Sequence, residues 1–180
     1  MTEISIETVT AEFPAAREAL AEILHACVLR GASVGFVLPF DLDRARAFWD
    51  GIGANLSPHH RCLFVARLDG RIVGTVQLVF AQQDNGRHRA EIAKMLVHPD
   101  ARRRGIARRL MEHAETVARA RGMRLLMLDT ETGGEAEPLY RGLGFELTGV
   151  MPSFAKAVSG DGLISTSFMH KELEAEPVTG

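Results

Sequence analysis

Apolar residues along this chain recur with two different periods, and the changes between them mark out its elements. Ile4 and Ile6 alternate with polar neighbours toward Val9, which predicts a first strand. Ala16, Leu20, Ile23, Leu24 and Cys27 then fall on one face of a helix from about Pro14 to Leu29. The glycine-punctuated run Gly31 to Phe36 (GASVGF) follows, as a connector or a pocket wall. A second helix is expected from about Asp41, with Leu42, Ala45, Phe48 and Trp49 on its apolar side. Cys62 to Leu68 and Arg71 to Phe80 are β-rich runs joined by Asp69-Gly70, a strong hairpin signal. After a polar turn with Asn85-Gly86 at its tip, Arg89 to Val97 makes a further strand, closed by Pro99 and Asp100.

At Ile106 the period changes: Ile106, Leu110, Ala114, Val117 and Ala118 share one helical face. The short apolar run Arg124 to Asp129 comes after that helix, so a crossover should set it parallel to Arg89–Val97. Gly133-Gly134 break the chain, Glu135 to Arg141 form a short helix, and Gly142 to Gly144 stop it. Glu146 to Val150 and Leu163 to Glu172 read as two more strands. The segment between them is irregular, opening at Met151-Pro152 and closing at Gly160 to Gly162.

Composition narrows the function without naming it. The 180 residues suit one domain, 1–180, with its core over 4–172 and a frayed tail over 173–180. A net charge of -2 argues against a general nucleic-acid binder, though not against a local basic site. Cys27 and Cys62 make neither a disulfide framework nor a metal-ligand spacing, and His59-His60 has no further ligands near it, so no metal is expected. The acidic start MTEISIETVTAEF lacks the apolar core of a signal peptide, and no apolar run reaches membrane-spanning length. The default location is the cytoplasm, with no membrane partner.

The chemistry concentrates between the strand ending at Val97 and the helix starting at Ile106. Helix N-termini leave N–H groups without partners and carry partial positive charge. Gly105 and Ala107 keep side chains clear there, and Arg102, Arg103 and Arg104 add charge-assisted donors. This is an anion cradle, read as a pyrophosphate site. The competing readings are a solvated basic helix start and a nucleic-acid patch.

The spacing Arg-x-x-Gly-x-Ala, from Arg102 to Ala107, resembles the acyl-CoA signature of the GNAT family of N-acetyltransferases. The run Ala136 to Phe145 (AEPLYRGLGF) resembles that family's second recurring segment, with Gly133 where many members carry asparagine. The GASVGF loop, Ala90-Glu91-x-x-Lys94 and Asp129-Thr130-Glu131 also resemble its tabtoxin-resistance branch. The resemblance implies an α/β (α+β) fold: a mixed, mostly antiparallel sheet of about six to seven strands, about four helices, and a parallel pair at the cofactor cleft. It implies acetyl-CoA as co-substrate, held by the backbone of Met95, Leu96 and Val97 and by Arg102, Arg103, Arg104, Gly105, Ile106, Ala107 and Arg108. Tyr140, the only tyrosine, aligns with the family's general acid near the sulfur. Glu91 and Asp129 would relay the acceptor's proton through water, if both reach one cleft. Phe36, Asp41 and Trp49 lie where family members draw substrate contacts.

The expected activity is acetyl transfer from the CoA thioester to an amine of a small molecule, with toxins and antibiotics in view. A non-catalytic acyl-CoA-binding regulatory module is the alternative, and a basic nucleic-acid-binding module the third reading. Homodimers are common in the family, and no interface can be read from these residues.

Overall fold

Described over residues 3–10 and 13–174, the computed structural model runs β1 (Ile4–Val9), α1 (Phe13–Leu29), α2 (Leu42–Ala54), β2 (Arg61–Leu68), β3 (Arg71–Phe80), β4 (Arg89–Val97), α3 (Ile106–Ala120), β5 (Leu125–Glu131), α4 (Glu137–Gly142), β6 (Glu146–Lys156) and β7 (Leu163–Glu172). The strands form one sheet in the order β1-β2-β3-β4-β5-β7-β6, in which only β4 and β5 are parallel. The fold is the α/β architecture expected, a mixed seven-stranded sheet with four helices among the described residues. No helix among these residues is long and apolar enough to cross a membrane.

Both faces of the sheet are covered, which is why β2 reads as a nearly unbroken apolar run. Its Cys62, Phe64 and Ala66 join a core with Ile106, Leu110 and Ala114 of α3. Leu63 and Val65 point the other way, into a core with Leu20, Ile23, Leu24 and Trp49 of α1 and α2. Each such buried aliphatic side chain contributes about 1.5–3 kcal/mol. Cys27 and Cys62 are free thiols buried in these cores. Helix α3 sits hard against β3: a Cβ on Gly74 would lie 3.1 Å from Leu110 Cδ1 and 3.2 Å from Ile106 Cγ2.

Three expectations need correcting. Strand β6 does not stop at Val150; it continues through Met151-Pro152 to Lys156. It is the edge strand, and its register slips between Met151 and Ala155, so Pro152 has no ladder bond to lose. The short helix begins at Glu137, not Glu135, because the Gly133 N–H donates to Glu137 Oε2 at 2.8 Å and holds the turn ahead of it. The core does not end at Glu172: Leu173 is buried, and its N–H donates to the Arg124 carbonyl at 2.9 Å. The frayed tail expected over EPVTG falls outside the described residues.

Candidate active site

Strands β4 and β5 pair over three residues, Arg89↔Leu125, Ala90↔Leu126 and Glu91↔Met127. Beyond them β4 runs on to Val97 and β5 to Glu131 with no pairing between the two. The sheet therefore opens in a wedge, and from Ile92 onward β4 has no strand on its β5 side. A bulge adds to this opening. Two residues of β4, Lys94 and Met95, stand opposite the single Val76 of β3, and Lys94 takes φ +49°.

At the far end of β4 the chain makes a 3-10 turn, Pro99–Ala101, and enters α3 from Gly105, the N-cap at φ +77°. A Cβ there would meet nothing within 4 Å, so the backbone conformation, not crowding, calls for glycine. No side chain caps α3, which leaves its first-turn amides free for an anion. Arg103, Arg104 and Arg108 are exposed around this end. Arg102 turns back instead: Nε donates to the Val97 carbonyl at 3.4 Å, and Nη1 lies 3.6 Å from Glu135 Oε2 across the wedge. Ile106 is buried against β3, so only its backbone N–H is available to a ligand.

Polar side chains gather on the α1–α2 face of the wedge. The register puts Arg61, Gln77, Glu91 and Asp129 on that face, because their strand neighbours Cys62, Leu78, Ile92 and Leu128 all point into the α3 core. Glu91 and Asp129 start from opposite ends of their strands in sequence, yet the parallel register sets Asp129 two residues past Glu91's partner. Burial, and then the Asp129 charge, push the Glu91 carboxyl above its ordinary pKa. Arg61 donates from Nη1 to Gln77 Oε1, a fully buried amide.

Lys94 joins the same floor, because the bulge offsets the alternation that would send it toward α3. Its Nζ lies 5.8 Å from the Phe48 ring centroid, and burial lowers its pKa against the pull of Asp129 and Glu91. Tyr140 enters from α4, buried and edge-on to Phe145 at 6.1 Å. Burial raises its phenol's pKa, and the Asp129 charge raises it further.

Sequence and fold both resemble known proteins. Residues 19–145 match the Acetyltransferase (GNAT) family. The chain belongs to that family. It is an N-acetyltransferase with acetyl-CoA as its co-substrate. A curated N-acetyltransferase from the hisH-hisA intergenic region of Azospirillum brasilense is 34% identical over 140 residues, 77% of this chain and 82% of that one. An N-acetyltransferase of Staphylococcus aureus Mu50 shares the fold at TM-score 0.78 and 20% identity, covering 96% of this chain and 99% of its own. The yncA protein of Salmonella typhimurium, solved with its cofactor acetyl-CoA, does so at TM-score 0.76 and 22% identity, covering 99% and 98%.

Of the residues expected from sequence to meet substrate, Phe36 packs 5.4 Å from Phe48. Trp49 is fully buried between α1 and α2 and presents nothing to a ligand. Asp41 caps α2 by accepting from the Arg44 N–H at 2.8 Å. Sequence reading passed over Arg61, Gln77 and Lys94 as site residues. Gln77 had a signal, a polar side chain two residues from Thr75 within the apolar run of β3; Arg61, at the first position of a nearly unbroken apolar strand, had none, and the face Lys94 takes depends on the bulge. Among the described residues no group of three or more His, Cys, Asp or Glu could hold a metal ion.

Proposed function

We propose that the protein acetylates the amine of a small molecule that reaches the wedge from the α1–α2 face. Amine-bearing toxins and antibiotics are the first acceptors to try, and the cytoplasm is the proposed setting. The observation that carries this reading is the convergence of Glu91, Asp129 and Tyr140 on one opening beside the cofactor strand.

In this proposal the first-turn amides of Gly105, Ile106, Ala107 and Arg108 hold the pyrophosphate, with Arg103 and Arg104 as charge partners. The unpaired edge of β4 at Met95, Leu96 and Val97 takes the pantetheine arm and supplies an N–H to the oxyanion. The Val97 carbonyl already accepts from Cys27 Sγ and Arg102 Nε, which leaves the carbonyls of its neighbours to accept from the pantetheine amides. Arg102 steadies the loop. The acceptor amine arrives as an ammonium and must lose a proton. Glu91, with its raised pKa, takes that proton through water, and Asp129 keeps Glu91 a better base than a free carboxylate. The amine attacks the thioester carbonyl, the C–S bond breaks, and Tyr140 protonates the leaving thiolate. A phenol whose pKa lies above its usual value holds that proton at neutral pH.

The deciding experiment is a panel of amines with acetyl-CoA, scored by free thiol. Amino-acid-like toxins, aminoglycosides, polyamines and peptide N-termini should be included. Amine-dependent release is expected; binding of acetyl-CoA with no release for any amine would point to the regulatory module instead.

A further inference from the structure

The chain has three lysines against eighteen arginines, and the three sit in different chemical settings. Lys171 is tied down, its Nζ 2.6 Å from Glu115 Oε2 and 2.7 Å from the Leu143 carbonyl. Lys156 is exposed at the end of the edge strand β6. Lys94 is half-buried on the cofactor strand and has neither a carboxylate within 4.0 Å nor a hydrogen-bond acceptor among the described residues.

Every element around Lys94 belongs to the acceptor floor. Arg61 faces it from β2, Glu91 from its own strand and Asp129 from β5. Phe48 of α2 lies under the ammonium, and a Cβ on Gly35 would come 3.7 Å from Nζ. An amine placed there lies on the floor proposed for the acceptor, in the field of the same two carboxylates. The mechanism above gives it no task.

We propose that Lys94 is a self-acetylation site, taking the acetyl group of bound acetyl-CoA when no acceptor occupies the floor. This rests on the reading that places the thioester in the β4–β5 wedge. The Nζ lone pair attacks the thioester carbonyl carbon, and the C–N bond forms as the C–S bond breaks. The proton shed by Nζ passes through water to Glu91 or Asp129. The departing thiolate takes one from Tyr140, and both carriers re-equilibrate with solvent. The products are Nε-acetyl-lysine and free CoA. Burial, which already disfavours the ammonium, favours the neutral nucleophile this step needs. The product amide carries no charge opposite Glu91 and Asp129 and fills part of the floor, so the modified enzyme should turn over acceptor more slowly.

The test uses the full chain with acetyl-CoA and no amine, followed over time by peptide mass spectrometry. Lys156 reports the uncatalysed chemical background, and Lys171 a lysine held in an ion pair. Acetylation of Lys94 should run at least about tenfold faster than that of Lys156, since positioning raises the effective concentration of thioester. It should saturate with acetyl-CoA, slow when free CoA competes, and slow in Tyr140→Phe, while Lys156 follows none of these. Lys94→Arg should remove the acceptor-independent thiol release. A Lys94 that stays unmodified, or that keeps pace with Lys156, in a protein that acetyl-CoA stabilises thermally overturns the proposal and leaves a purely electrostatic role for the lysine. Absence of thermal stabilisation and of thiol release with every amine would instead sink the acetyl-transfer site on which it rests. If Lys94→Arg does not fold, the ratio of rates within the unaltered chain decides alone.

Discussion

On the α3 side of the β4–β5 wedge the sheet offers Ala90, Ile92, Leu126 and Leu128, and the polar groups nearby come from one loop and one helix end. On the α1–α2 side, a residue's breadth away through the same strands, Arg61, Gln77, Glu91, Lys94 and Asp129 bring five polar side chains from β2, β3, β4 and β5. The first side, where no side chain caps α3, is the one proposed above for the coenzyme, a task for which backbone amides suffice. The second is built from side chains that meet only once the sheet has formed, and the proposed mechanism puts acceptor choice and proton traffic there.

Perturbing the second side should show in turnover, and perturbing the first in coenzyme affinity. The largest effect is expected at Tyr140, which joins the two. Tyr140→Phe should lower kcat by about 100-fold or more while the KM for acetyl-CoA changes little, measured by thiol release; unchanged turnover would remove it from the mechanism. Glu91→Gln should cost about tenfold or more in kcat/KM and abolish the acidic limb of the pH profile. Asp129→Asn should move that limb to lower pH, because it removes one cause of the raised Glu91 pKa.

The stability of Glu91→Gln should move the opposite way from its activity. A folded-state pKa above the unfolded one means the native chain binds the proton more tightly, so stability is fullest in acid and falls as pH rises through the raised pKa. Near neutral pH the glutamine variant is therefore expected to melt slightly higher than the parent, a difference that should vanish in acid.

On the first side, Arg104→Ala should weaken acetyl-CoA binding about tenfold in a calorimetric titration, with kcat at saturation kept. The smallest effects are structural. Gly105→Ala should cost about 1 kcal/mol of stability for the left-handed conformation alone, since its Cβ meets no neighbour. Asp41→Ala should cost about 1 kcal/mol for a lost helix cap and leave acceptor KM unchanged. A raised KM would return Asp41 to the substrate site.

Legibility in the sequence divides along the same line. Arg102 to Ala107 could be read directly, because an anion cradle at a helix start is a local object: its glycine, its arginines and the change of period all lie within a few residues. The strand order from β2 to β5 was equally readable from hairpin and crossover rules, while the pairing of β1 was not. Glu91 and Asp129 could be named, but not brought together, since only the parallel register sets them side by side. For Trp49 and Asp41 the sequence could not tell a core tryptophan or a helix cap from a substrate contact, because both look alike in sequence whether they face a core, a cap or a ligand. Lys94 could be named from the resemblance, but the face it occupies was out of reach for a stricter reason. A one-residue bulge reverses which face a side chain occupies, and no composition signal announces it.

The glycine at position 74 lets α3 rest on the backbone of β3 with no side chain between them. Helix and strand are thereby fixed as a single block, so the diphosphate grip proposed at the start of α3 could not slide relative to the strand beneath. A longer acyl chain would have to find its room by shifting α4 or the segment between α1 and α2, and mutations selected for new donors should gather there rather than along α3.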